Sequence, residues 1–128
     1  MAVKLRWLSY YWLMGRTPPH PEVPQFDLQR ILEALVDPVR RSIVTQLEAA
    51  GKDIKCGDFD IQVSKSTATH HFKVLREAGL IRQYYVGASR MNALRRAEMD
   101  EAFPGLLDAL TTPQARGVGL AVSARSTL

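Results

Sequence analysis

The residues best placed to do chemistry lie between Ser64 and Arg96, in the run SKSTATHHFKVLREAGLIRQYYVGASRMNALRR. Ser66, Thr67, Thr69, His70 and Lys73 offer hydroxyls, an imidazole and an ammonium group, with Arg76 beyond them. These groups suit hydrogen bonding to phosphate oxygens and base edges. They do not suit catalysis: no nucleophile, base and orienting acid fall at a recognisable spacing, and there is no glycine-rich phosphate loop. The basic residues Lys65, Lys73, Arg76, Arg82, Arg90, Arg95 and Arg96 face Glu77 alone, so this stretch is more positive than the +4 of the whole chain. A helix followed by a basic hairpin fits a duplex, the helix entering the major groove and the hairpin resting on phosphates.

The elements that must position these groups can be read in order. The spacing predicts a helix from Ser64 or Ser66 to Ala78, stopped by Gly79, with Ala68, His71, Phe72 and Leu75 toward the core. Thr69, His70, Lys73 and Glu77 then face outward. Strands follow at about Leu80–Val86 and Arg90–Leu94, where Gly87 permits a tight tip and Ser89 is a hydroxyl donor for phosphate. Arg82, Arg90, Arg95 and Arg96 read as phosphate or minor-groove contacts flanking this hairpin. Upstream, Asp27 is a helix cap ahead of Leu28, Ile31, Leu32 and Leu35. Asp37-Pro38 opens a second helix carrying Val39, Ile43, Val44 and Leu47, with Arg40 and Arg41 directed to solvent or DNA, and Gly51 ends it. The mixed segment GKDIKCGDFDIQVSKS is expected to hold a short helix of one to two turns. After Leu94 a last helix runs to Leu110, with Pro104 imposing a kink or a break.

At 128 residues the chain makes one domain of ordinary globular composition. Residues 1–26 form an aromatic N-terminal extension and a proline-rich linker, in which His20 is expected to be exposed. Residues 27–110 form the domain proper, and 111–128 a flexible tail. A pI near 9.5 favours a polyanionic partner. The single cysteine, Cys56, cannot form an intrachain disulfide, which fits a reducing cytoplasm. No apolar run is long enough for a transmembrane helix, and the opening MAVKLRWLSYYWLMGR has no small-residue cleavage site, so it reads as mature chain.

The fold class is therefore mainly α with a small β-hairpin, a winged helix-turn-helix in the order α-α-α-α-β-β-α. The run STATHHFKVLREAGLI, preceded by LEALVDPVRRSIVTQL, closely resembles the ArsR/SmtB-type winged-helix transcriptional repressors. The resemblance covers about Leu28 to Leu110 and rests on Asp37-Pro38 with Arg40 and Arg41, then His71, Leu75, Arg76, Gly79 and Leu80. It implies a homodimer that binds a partly palindromic operator on double-stranded DNA and lets go when an unidentified small-molecule effector or a chemical change arrives. It implies DNA contacts from Ser66, Thr67, Thr69, His70, Lys73, Arg76, Arg82, Ser89 and Arg90. It also implies a dimer interface from Leu28, Ile31, Leu32, Leu35, Phe103, Leu106, Leu107 and Leu110.

The resemblance does not extend to the family's metal sites. Lys55 and Gly57 occupy the positions of the paired cysteines, with Cys56 between them, and no histidine follows His71. A single soft ligand cannot hold a thiophilic ion tightly, so no metal or other cofactor is expected. Cys56, near Lys52 and Lys55, is a redox candidate. Two further readings are a winged-helix protein-interaction module without specific DNA binding and a regulator responsive to oxidation at Cys56.

Overall fold

A computed structural model describes residues 17–114. Helix α1 spans Leu28–Leu35 and α2 spans Pro38–Ala50. Strand β1 (Ile54–Lys55) and a 3₁₀ turn (Cys56–Asp58) follow, then α3 (Lys65–Ala78), β2 (Ile81–Val86) and β3 (Ser89–Leu94). Two short helices, α4 (Arg96–Ala102) and α5 (Leu106–Leu110), close the described chain. This mostly helical chain with its antiparallel hairpin is a winged helix-turn-helix.

The helix starts are set by side chains that satisfy otherwise orphaned N–H groups. Asp27 accepts from the N–H of Gln29 at 3.1 Å. Asp37 accepts from Val39 at 2.8 Å and Arg40 at 3.2 Å, with Pro38 at the first helical position. Burial alone would raise the Asp37 carboxyl, but these N–H donors offset that and hold it below its ordinary value. Ser64 caps α3 through the N–H of Thr67. Gly79 ends α3 at a φ of 90°, a conformation costly for any residue with a Cβ. A Cβ there would also collide with the Phe26 ring.

The core is contiguous. Ile31 of α1, Ile43 of α2, Leu75 of α3, Ile81 of β2 and Met99 of α4 are all fully buried. Phe59 and Phe72 stack obliquely with ring centroids 5.3 Å apart. The sheet has the order β1-β3-β2, and β2 pairs with β3 from Ile81↔Leu94 to Val86↔Ser89. Gly87 and Ala88 make a two-residue loop, with Gly87 at a φ of 60° in the first position, where a type II′ hairpin turn uses glycine.

Three expectations are corrected. The segment from Gly51 to Ser64 holds no α-helix: it pairs Ile54 and Lys55 with β3, makes one 3₁₀ turn and continues without regular structure. The last helix does break at Pro104, as expected, and with Gly105 (φ 88°) it divides into α4 and α5. Arg40 and Arg41 do not face solvent freely. Arg40 donates to the carbonyls of Ala34 (2.6 Å) and Glu33 (3.3 Å), and Arg41 to those of Leu35 (2.7 Å) and Val36 (3.0 Å). They close the C-terminal end of α1, which lacks a glycine cap.

The proline-rich linker is docked rather than free. The N–H of Gln83 on β2 donates to His20 Nε2 at 2.9 Å, and Arg95 donates to the carbonyl of Pro21 at 2.6 Å. His20 is half-buried, and burial together with Arg82, Arg76 and Arg95 lowers its pKa to about 4. The aromatic stretch 1–16 and the last residues of the tail, 115–128, lie outside the described residues.

Candidate nucleic-acid interface

Ser66, Thr69, His70 and Lys73 recur at positions i, i+3, i+4 and i+7 of α3, so they share one face. All four are exposed, as is Thr67 beside them. The opposite face, with His71, Phe72 and Leu75, is in the core. The helix is therefore fixed by one side while the other is presented.

The exposed groups are partly pre-engaged. Ser64 Oγ donates to Thr67 Oγ1 at 2.8 Å and lies 3.3 Å from Ser66 Oγ. Thr69 donates back to the carbonyl of Lys65 at 2.9 Å, leaving its oxygen lone pairs to accept from a base amino group. Lys73 forms no hydrogen bond or ion pair with any described residue, so its ammonium is available to phosphate. The two histidines differ. His70 faces outward, whereas His71 is buried, its Nδ1 3.1 Å from an Arg40 N–H. An arginine only donates, so Nδ1 is the acceptor and the proton sits on Nε2. Burial lowers the His71 pKa, with Asp37 opposing and Arg40 assisting, and the ring is neutral at pH 7.

Much of the positive charge that looks free in the sequence is committed. Arg76 is only 8% exposed; it donates to Gln83 Oε1 at 2.8 Å, and its Nε has no partner in the described chain. Its assignment as a DNA contact is corrected, because the last turn of α3 lies under the sheet. Arg95 is buried against Glu98, the carbonyl of Pro21 and the face of Phe26, 4.9 Å from the ring centre. Arg96 sits among Glu48, Asp100 and Asp108. Neither is a free wing charge. Arg82 remains half-exposed, 3.3 Å from Glu98. The Arg95 bonds, helped by Arg82, bring Glu98 down to about 2 against the opposing effect of burial. Arg90 lies 5.6 Å from the centre of the Tyr85 ring, and Ser89 is at the hairpin turn. The candidate interface is thus Ser66, Thr67, Thr69, His70 and Lys73 on α3, with Arg82, Ser89 and Arg90 on the hairpin.

Polar residues inside the hairpin escaped the sequence reading. Arg76 bonds Gln83, Gln83 Nε2 donates to Asn92 Oδ1 at 2.8 Å, and Asn92 Nδ2 donates to the Ile54 carbonyl at 3.1 Å. Gln83 and Asn92 are fully buried. Their signal was the strand alternation itself, which places both on the inward face, in phase with Ile81. Cys56 is half-buried at the end of this chain, its Sγ 3.1 Å from Asn92 Nδ2 and 3.9 Å from Gln83 Nε2.

The expected dimer residues divide. Ile31, Leu35 and Leu107 are buried in the chain's own core and have no surface to offer a partner, a correction to their assignment. Phe103, Leu106 and Leu110 are half-buried against that core. Leu28 (43% exposed), Leu32 (48%) and Val36 (72%) form an exposed apolar stripe at i, i+4 and i+8 along α1 and the residue that caps its C-terminal end. Among the described residues no helix is long and apolar enough to cross a membrane.

Residues 35–84, from the end of α1 into β2, match the helix-turn-helix domain family. Over 83 residues the chain is 35% identical to the uncharacterized HTH-type transcriptional regulator YceK of Bacillus subtilis (strain 168), a match covering 63% of this chain and 83% of that protein. The whole of α3, with its exposed polar face, lies within the residues that match the domain family. In helix-turn-helix proteins the second helix of the motif is the one presented to the major groove. The chain belongs to the DNA-binding helix-turn-helix transcriptional regulators.

Proposed function

We propose that the protein is a homodimeric repressor of the ArsR/SmtB type, binding a palindromic operator and released by a non-metal signal. The observation that carries this reading is the exposed face of Ser66, Thr69, His70 and Lys73 on a helix anchored by its opposite side, beside a hairpin bearing Arg82 and Arg90. In this reading Ser66, Thr67, Thr69 and His70 meet base edges and phosphates in the major groove, and Lys73, Arg82, Ser89 and Arg90 grip the backbone. Residues 27–110 are the working unit, with the docked segment from Thr17 added to it.

The stripe of Leu28, Leu32 and Val36 supports self-association, because exposed apolar side chains in a row are favoured in an interface and cost free energy in water. A two-fold dimer would place two α3 helices in successive major grooves, about 34 Å apart. The repressing role and the release rest on the resemblance to the ArsR/SmtB regulators.

The test is selection of bound duplexes from a random pool at two salt concentrations. Enrichment of an inverted repeat, bound more weakly at the higher salt, is the expected result. A folded dimer that enriches no sequence overturns the operator reading and favours a protein-interaction module.

A further inference from the structure

A tight helix-turn-helix joins its helices through three or four residues and braces the second helix with the first. Here residues 51–64 separate α2 from α3, and the part nearest α3 has no regular structure. Helix α2 still packs on α3, with Arg40 3.1 Å from His71, but the start of α3 is reached through this segment. Gln46, on α2, holds the segment through its side-chain amide. Its Oε1 accepts from the N–H of Asp60 at 2.9 Å, and its Nε2 donates to the carbonyl of the same residue at 2.9 Å. The other Nε2 hydrogen goes to Ser42 Oγ, also at 2.9 Å, which fixes the amide's orientation.

This is a two-bond clamp of the kind strands use, made by one side chain on one residue's backbone. The neighbouring Phe59 is buried against Phe72, so the segment is pinned both to α2 and to α3. Only Ile61, Gln62 and Val63 lie between the clamped residue and Ser64, the N-cap of α3. Ser66 and Thr67 follow at once, at the leading end of the exposed face.

We infer that Gln46 is a positioning residue for sequence-specific DNA binding: its amide clamp on Asp60 adds to the packing of α2 on α3 and sets the leading end of α3. The inference rests on the operator reading. Gln46 touches no DNA in it; it acts through Asp60 and the Ser64 cap. Without the clamp, selective recognition, which needs placement, should suffer more than general attraction to phosphate, which needs only charge. All charges are unchanged in Gln46→Leu, and leucine is as good a helix former as glutamine.

The experiment compares wild type, Gln46→Leu and Gln46→Glu by affinity for the selected duplex and for a scrambled duplex, with amide hydrogen exchange over residues 60–67. The expected result for Gln46→Leu is faster exchange there and about a tenfold loss on the selected duplex, equivalent to about 1.4 kcal/mol, with scrambled-duplex affinity held within about twofold. Gln46→Glu keeps one acceptor but turns a carboxylate oxygen toward the Asp60 carbonyl, so exchange over residues 60–67 should be at least as fast as in Gln46→Leu. Equal losses on both duplexes, or an unchanged ratio despite faster exchange, overturn the positioning role. Unchanged exchange overturns the clamp itself, independently of DNA. A wild type that prefers neither duplex overturns the operator reading, and the positioning role with it, while the exchange data still judge the clamp.

Discussion

Replacing Lys73 with alanine tests the interface and the dimer together. Lys73 is exposed in the middle of α3 and pairs with no described residue, so its removal should leave the fold intact. Each phosphate neutralised contributes about −0.9 to the slope of log affinity against log salt. Freeing one phosphate per complex should flatten the slope by about 0.9, and freeing two, one under each α3 of a dimer, by about 1.8. Between about 50 and 200 mM salt, the affinity gap between wild type and Lys73→Ala should then narrow about tenfold for a dimer and about three- to fourfold for a monomer. Fluorescence anisotropy with a labelled duplex at four or five salt concentrations resolves the two. An unchanged slope would show that Lys73 does not reach phosphate. A changed slope accompanied by a much lower melting temperature would show instead that Lys73 supports the fold, and the reasoning would fail.

Arg76→Met should behave in the opposite way, because the guanidinium is buried and serves Gln83. We expect a loss of about 1–3 kcal/mol in denaturant unfolding from the stranded Gln83 carbonyl; unaltered stability with weakened DNA binding would restore Arg76 to the interface. Leu32→Glu places a charge in the middle of the stripe formed with Leu28 and Val36. Sedimentation should show a monomer that still melts cooperatively, and a persistent dimer would move the interface elsewhere. For His20 the sign follows from its lowered pKa: between pH 6.5 and about 4 the unfolded chain takes up a proton that the folded chain refuses. Stability should thus fall as pH drops through that window, more steeply in wild type than in His20→Ala, and an NMR midpoint for His20 near 6.5 would contradict the docked geometry.

The helices with strong local signals were readable from sequence. Asp27, Asp37 and Ser64 cap where their spacing placed them, Gly51 and Gly79 stop their helices, and Pro104 breaks the last one. The outward set on α3 was also legible, since a period of 3.6 separates it from Phe72 and Leu75 without knowledge of the fold. The arginines were not. A guanidinium on a long stem goes to whichever acceptors the tertiary structure brings near. For Arg40 and Arg41 these were carbonyls at the end of the preceding helix, and for Arg95 the carbonyl of Pro21, 74 residues back. The segment from Gly51 to Ser64 failed for a similar reason: its conformation is set by partners on α2 and β3, not by its own pattern. The linker misled because prolines exclude helix and central strand, yet nothing in them prevents docking.

That docking bears on how the protein avoids sticking to itself. Strand β2 is an edge of the sheet, and its outward N–H at Gln83 is a starting point for pairing with a foreign strand. His20 occupies that N–H, and the segment that carries it includes Pro18, Pro19, Pro21 and Pro24, none of which can donate to a further strand. The segment therefore covers the edge without becoming an edge in its turn. Protonating His20 sets donor against donor and loosens the cover. Storage below about pH 4, where that charge is present, is the condition in which β2 should recruit other copies and turbidity should appear before the helices melt.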